Sequence, residues 1–377
     1  MVGGGRDAFI GGVHRMAMRL DGEIDLVAGA FSSTAAKSRI SGEELLLDSK
    51  RAYPDYQTMA VEEAKLPPGE RIDFVTVVTP NRMHVPVCQA FLEGGFHVIC
   101  EKPLGLDLPE VVALRETVRR TGRIFTLTHN YSGYPMVKQA RALVRNGALG
   151  EIRKVVAEYS HGWLHQPIDA EGQKQAAWRT DPEDAGAAGC LGDIGTHAEH
   201  LARYITGLEL QELCADFSTF VENRRLEDDA SVLLRYKGGA KGILHASQIC
   251  AGEENGFGIR VFGSAASLEW QQEEPNDLIV KFPDAPQRVY RSGNDYLEVP
   301  AKRFTRIPAG HPEGFIEAFA NLYREIARAI HAALEEKAIP PDCDFPTIED
   351  GVAGMDFIAT AVASARAGGA WTRMTRS

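Results

Sequence analysis

At 377 residues, 44% of them hydrophobic and 25% charged, the chain is long enough for two domains and has the composition of a soluble globular protein. A formal net charge of −11 supplies no basic stripe for nucleic-acid phosphates, and no apolar run reaches membrane-spanning length. The chain does not open on a charged segment followed by an apolar one, so the expected location is the cytoplasm; its six scattered cysteines read as reduced, mostly buried thiols.

The first segment is Met1-Val2-Gly3-Gly4-Gly5-Arg6-Asp7-Ala8. Gly3 and Gly5 fit the first two glycines of a dinucleotide-binding turn, with Ala8 as the third small residue. The chemistry asks for small residues because the backbone must approach a pyrophosphate, whose charge is met by amides at a helix N-terminus. An aspartate beside that charge is unfavourable, so Asp7 is expected to point away or the loop to be wide. Gly12 to Met18 reads as the helix, after a turn lengthened by Phe9-Ile10-Gly11, and Ile24 to Phe31 as the next buried strand. A central parallel strand needs about five residues, yet only Met1 and Val2 precede Gly3. The first strand therefore reads as nearly absent, and the natural polypeptide is expected to begin upstream of Met1.

Ile72 to Val78 is a continuous apolar run of parallel-strand type, ending at Thr79-Pro80-Asn81. His84 to Gly94 reads as a helix. Phe96 to Cys100 is the next strand, ending at Glu101-Lys102-Pro103. Leu108 to Thr121, closed by Gly122, is another helix, and Ile124 to Thr128 another strand. Strict alternation of this kind means a doubly wound parallel sheet with helices on both faces. Ligands bind beyond the carboxyl ends of such strands, where Ser32, Thr79, Lys102 and Asn130 fall. After about residue 150 the pattern changes to short alternating strands: Ile152–Tyr159, Ala230–Tyr236, Gly242–Ile249, Ile259–Gly263, Ala266–Trp270 and Leu278–Phe282. These predict a mostly antiparallel sheet, followed by helices over Pro312–Lys337 and Ile348–Ala367. The fold class is thus α/β, with an N-terminal domain over 1–130 and a C-terminal α+β domain over 131–377. Glu171 to Gly189, polar and rich in glycine and alanine, reads as a loop delivering residues to a cleft.

Cys190-Leu191-Gly192-Asp193-Ile194-Gly195-Thr196-His197 puts a carboxylate and an imidazole four residues apart, on one face of a helix. His197 can take a hydroxyl proton while Asp193 holds geometry and charge. Lys102, at a strand end between Glu101 and Pro103, can donate to a hydroxyl oxygen. Trp178-Arg179 would wall the pocket and donate to oxygens. A metal held by His197, Glu199 and His200 is disfavoured, since no further ligand sits at a recognisable spacing.

The glycine turn, Thr79-Pro80-Asn81 with His84, Glu101-Lys102-Pro103, Trp178-Arg179 and Gly192 to His197 occur together and in order. In this they resemble the Gfo/Idh/MocA family of oxidoreductases. The resemblance spans essentially the whole chain. It implies an N-terminal Rossmann domain that binds NAD(P), and a C-terminal domain that binds substrate and packs subunits into homodimers or homotetramers. It also implies a secondary hydroxyl of a sugar or a cyclic, inositol-like polyol as substrate, with Lys102, Asp193 and His197 catalytic. Gly3, Gly5, Ala8, Ser32, Ser33, Thr79, Pro80, Asn81, His84, Glu101, Lys102 and Asn130 line the expected cofactor site. Trp178, Arg179 and His311 are the expected substrate contacts, His311 from a neighbouring subunit if the subunits share sites. No acidic residue ends the second strand at Ser32-Ser33, and Lys37 and Arg39 could pair a 2′-phosphate; the inositol-dehydrogenase likeness leans towards NAD over NADP. Two alternatives are a cofactor-binding sugar sensor, which has no need of all three catalytic residues, and a glycosidase using NAD in a transient oxidation. Net reduction of added cofactor by a free polyol separates the dehydrogenase from both.

Overall fold

The computed structural model describes residues 1–6 and 8–375; the expectation for Asp7 lies outside the described residues. In chain order it runs β1 (Val2–Gly3), α1 (Phe9–Leu20), α2 (Ala35–Glu44), α3 (Tyr56–Lys65), β2 (Phe74–Val78), α4 (His84–Glu93), β3 (His97–Cys100), α5 (Leu108–Thr121) and β4 (Phe125–Leu127). Next come α6 (Pro135–Arg145), β5 (Ile152–Ser160), α7 (Lys174–Arg179), α8 (Pro182–Ala185), α9 (Thr196–Thr206), β6 (Leu210–Ser218), β7 (Asp229–Tyr236) and β8 (Lys241–Ser247). The last elements are β9 (Gly256–Gly263), β10 (Ser267–Gln271), β11 (Asp277–Lys281), β12 (Arg288–Arg291), α10 (Val299–Arg303), α11 (Phe315–Leu334), α12 (Ile348–Arg366) and β13 (Thr372–Arg373).

Packing divides the chain into two compact units: Met1–His129 with Phe319–Val352, and Asn130–Ala318 with the residues from Ala353 onward. The first cut falls between His129 and Asn130, and Phe319–Val352 returns to the first unit. The return of 319–352 to the first unit has a physical reason, since a parallel sheet must be covered on both faces. Helix α11 supplies buried Phe319, Tyr323, Ile326 and Ile330 to that unit.

The first unit holds a parallel sheet in the order β1-β2-β3-β4. β2 and β3 are buried along nearly their whole length, as their mainly apolar sequences require. Short as it is, β1 is central. It pairs with β2 through Val2↔Val77 and Gly3↔Val78, and on its other side Val2 bridges Ala30. The expected strand Ile24–Phe31 shrinks to bridges at Gly29 and Ala30. Towards β1, the Met1 nitrogen donates to Ala28 and Ala30 exchanges bonds with Met1 and Gly3; on the other side Gly29 exchanges bonds with Arg51 and Tyr53.

The second unit carries a nine-stranded sheet in the order β12-β11-β10-β9-β5-β8-β7-β6-β13. All its pairs are antiparallel except β5 with β8. The burial pattern alternates along β7 and β8, so one face of the sheet is covered and the other open. The segment expected to be a loop over 171–189 contains α7 and α8. The Gln173 and Asp181 side chains cap their first amides at 2.6 Å and 2.9 Å, which offsets the polar composition.

Candidate functional site

In the first unit the glycine turn is shaped by close approach. Gly3 and Gly4 have φ of +76° and +66°, and a Cβ on Gly3 would lie 2.3 Å from the Val78 carbonyl oxygen. The third small position is Gly11, not Ala8: a Cβ there would meet the Gly4 oxygen at 2.3 Å. Helix α1 begins at Phe9, so Phe9-Ile10-Gly11 is its first turn rather than an extension of the loop; Ala8 is the N-cap residue. No side chain caps α1 and its first turn carries no acid, which leaves amides and dipole for an anion. At the neighbouring strand end the Thr79 hydroxyl is buried with no hydrogen-bond partner among the described residues. A cradle that no side chain could fill, an uncapped helix start and an orphaned hydroxyl fit a dinucleotide. Ser32 and Ser33 follow the Ala30 bridge, with Ser32 Oγ accepting from the Thr34 amide at 3.3 Å.

Lys102 and Pro103 follow β3 and are joined by a cis peptide bond. His84 is fully buried, and its ring nitrogens lie 2.8 Å from the Pro103 oxygen and 2.9 Å from the Thr79 oxygen, so it ties the loops after β2 and β3 together. Burial pushes the His84 imidazole below its ordinary pKa, against the pull of those carbonyls and of Glu101. Pro80 precedes a short helical turn, Asn81–Met83, in which Asn81 is buried.

Expected as a cofactor contact, Glu101 faces inward. His14 Nε2 lies 2.9 Å from its Oε1, which also accepts from the Thr128 hydroxyl, while Oε2 accepts from the Lys102 amide at 3.3 Å. Burial alone would raise this carboxyl. The His14 hydrogen bond and charge, the Lys102 ammonium and the Thr128 hydroxyl overcome it and hold the pKa at about 2.

In the second unit Asp193 and His197 stand at the start of α9, but the helix there is not regular. Leu191–Gly195 forms a π-turn in which the Thr196 amide reaches the Leu191 oxygen, a widening common at functional sites. Asp193 Oδ2 receives Gln248 Nε2 at 2.8 Å and lies 3.2 Å from Arg179 Nε. Arg179 is stacked 4.2 Å over Trp178 and 5.8 Å from Trp163, and also donates to Gln175. Arg179 thus meets Asp193 from α7, with Trp178 stacked against its guanidinium. The His197 ring is 6% exposed and makes an edge contact with Tyr131, centroids 4.7 Å apart. The Tyr131 hydroxyl lies 2.6 Å from that of Tyr159, which donates to Asn255 Oδ1 at 2.6 Å; His161 Nε2 is 3.1 Å from the same oxygen. Asn130 belongs to this unit, with its amide nitrogen buried and unpartnered among the described residues. His311 lies in an exposed loop, its Nδ1 3.1 Å from the Pro308 oxygen, and no described contact joins it to Asp193 or His197. Among the described residues no group of three or more His, Cys, Asp or Glu is placed to hold a metal ion.

The sequence alone did not reveal His14, Thr128 and Tyr323 around Glu101, nor Gln248, Tyr131, Tyr159 and Asn255 around the Asp193–His197 pair. Each lies on an element distant in sequence, so no local spacing could signal it.

The chain belongs to the Gfo/Idh/MocA family of oxidoreductases. Residues 1–129 match the family's NAD-binding Rossmann fold and residues 137–269 its C-terminal domain. It is an oxidoreductase of the dehydrogenase type with an NAD-binding domain. It is 39% identical to an uncharacterized oxidoreductase, YfiI, of Bacillus subtilis, over 98% of this chain and 95% of that one. It is similar to the crystal structure of an inositol dehydrogenase homolog from Azotobacter vinelandii complexed with NAD+, at TM-score 0.95 and 41% identity, covering 99% of this chain and 96% of the other. The structure of the Azotobacter homolog with NADH and myo-inositol superposes at TM-score 0.93 and 40% identity, with coverage of 99% and 96%.

Proposed function

We propose that this protein oxidises a secondary hydroxyl of a cyclic polyol or sugar, inositol-like in character, using NAD. The observation that carries the reading is the likeness to a homolog crystallised with NADH and myo-inositol, which extends over 99% of this chain. Gly3, Gly4, Gly5 and Gly11, the start of α1 and Thr79 would hold the dinucleotide. When bound, its nicotinamide supplies the acceptor for the hydride leaving the carbinol carbon. His197 takes the hydroxyl proton. Lys102 donates to the substrate oxygen as it becomes a carbonyl oxygen. Asp193, fixed by Gln248 and Arg179, holds the substrate with Trp178 and Arg179.

The lean to NAD is supported by Arg39, which lies 3.7 Å from Glu43, so a 2′-phosphate paired with it would also meet a carboxylate. Among the described residues no helix is long and apolar enough to cross a membrane; a cytoplasmic location belongs to the same proposal. So does assembly into a homodimer or homotetramer through the open face of the nine-stranded sheet. The test is absorbance of reduced nicotinamide across a panel of inositols and aldoses with each cofactor. Stoichiometric reduction by a free polyol is expected, and its loss by about 10²–10⁴-fold in His197→Ala and in Lys102→Ala, with cofactor binding kept. Turnover of His197→Ala near the wild-type rate removes it as the base, and a preference for NADP beyond about tenfold (~1.4 kcal/mol) overturns the cofactor assignment.

A further inference from the structure

The one carboxylate next to Lys102 in sequence is gripped from inside the first unit by a line of buried groups. Tyr323 Oη on α11 lies 2.6 Å from His14 Nδ1 on α1, and His14 Nε2 lies 2.9 Å from Glu101 Oε1 after β3. His14 has no exposed surface and Tyr323 is 2% exposed, so neither can touch a ligand. The Phe319 ring packs edge-on against His14 with centroids 5.0 Å apart, which closes that side to water.

Proton placement along the line follows from Glu101. An ionised carboxylate only accepts hydrogen bonds, so His14 Nε2 must carry a hydrogen. His14 Nδ1 meets the Tyr323 hydroxyl at 2.6 Å, which completes the line, and the carboxylate's other oxygen turns back to take the Lys102 amide at 3.3 Å. Thr128 on the far side supplies the last donor to Glu101. The position of the carboxylate, and with it the Lys102 backbone, is thus fixed from four elements.

We propose that Tyr323, His14 and Glu101 form a buried hydrogen-bonded line that orients Lys102, which makes His14 and Tyr323 positioning residues of the oxidoreductase site. This rests on the reading of Lys102 as the group that donates to the substrate oxygen. It also ties α1, whose start faces the expected pyrophosphate, to the residue that acts on substrate.

Tyr323→Phe removes one hydroxyl and keeps the ring, and His14→Gln keeps one donor and one acceptor. Three quantities are measured on the full chain: melting temperature, NADH affinity by fluorescence, and the labelling rate of Lys102 by an amine-reactive anhydride relative to exposed Lys174, read by mass spectrometry. Turnover of the best polyol is a fourth. Tyr323→Phe is expected to change the relative labelling of Lys102 by roughly threefold or more and to lower kcat about tenfold, with NADH affinity within about twofold and KM little altered. His14→Gln is expected to fall between Tyr323→Phe and wild type. Unchanged relative labelling overturns the proposal, even if melting temperature falls, because that outcome leaves the line a purely structural one. If the wild type reduces no cofactor with any polyol, the functional reading fails, while the labelling ratio still decides whether the line orients Lys102.

Discussion

Glu227 is the buried carboxylate that holds the segment bearing Asp193. Its Oε1 accepts from the Leu191 amide at 3.1 Å and its backbone oxygen from the Cys190 amide at 3.1 Å, so the π-turn starts against it. Burial pushes its carboxyl up to about 7 from the ordinary 4.5, despite backbone hydrogen bonds that pull it down; the neighbouring Asp228 charge adds to the rise. A raised carboxyl pKa means the folded state holds its proton more tightly than the unfolded state. The associated stability is complete below about 4.5 and is lost as pH climbs to about 7. Glu227→Gln carries the acceptor without the charge, so it is expected to match wild type near pH 4.5 and exceed it at pH 8, by up to ~3 kcal/mol. Melting temperatures across that range check it, and a difference that does not vary with pH sinks it. At this scale the site was half legible. Lys102, Asp193 and His197 stand in short motifs whose spacing carries chemistry. Glu227, Gln248 and Tyr131 act through partners that only folding brings near, and nothing about a lone glutamate in a run of acids marks it as buried.

Among the elements, α1 shows how little room the dinucleotide turn leaves. Gly11 is pressed against the Gly4 backbone, whereas a Cβ on adjacent Gly12 would meet nothing within 4 Å. Gly11→Ala must push α1 away from the turn; it is expected to weaken NADH binding by about tenfold and to lower stability by roughly 1–3 kcal/mol, as overpacking does. Gly12→Ala is expected to gain up to ~1 kcal/mol from helix propensity alone. Equal effects of the two on melting temperature and NADH affinity would remove Gly11 from the cradle. The same local physics decided which elements could be read. β2, β3 and β4 are short apolar runs and α5 has Asp107, Glu110 and Gly122 as its punctuation, and all four lie where the sequence predicts. β6 escaped because Glu212 and Asp216 interrupt its apolar residues. α2 escaped because Ala35–Glu44 carries no apolar stripe. The strand Ile24–Phe31 was over-read because apolar character sets a tendency to pair, while the ladder itself depends on a partner of equal length.

On the scale of the whole molecule, the open face of the nine-stranded sheet carries exposed apolar side chains in a row. The registers place Leu233 of β7 opposite Ile243 of β8, Ile243 opposite Val156 of β5, and Ile279 of β11 opposite Val289 of β12, with Arg260 and Glu269 between the two apolar groups. Leu233 is 47% exposed and Ile243 is 37% exposed, in adjoining strands. Single exposed apolar residues need no explanation, but a row crossing seven strands does. A second copy of this chain suits it, because a face with charges of both signs near its centre, Arg260 and Lys281 beside Glu269, can meet its own copy across a two-fold axis. Stable interfaces cover about 800 Å² per partner, and an open sheet of this breadth can supply that area. Leu233→Arg with Ile243→Glu would bury two charges where two aliphatic side chains had met, at a cost well above the roughly 1–3 kcal/mol of lost apolar burial. The double variant is expected to run at half or a quarter of the wild-type mass in light scattering coupled to gel filtration, with its far-ultraviolet circular dichroism unchanged. A wild type that is monomeric at micromolar concentration, or a variant that keeps the wild-type mass, would show that this face is not where copies meet.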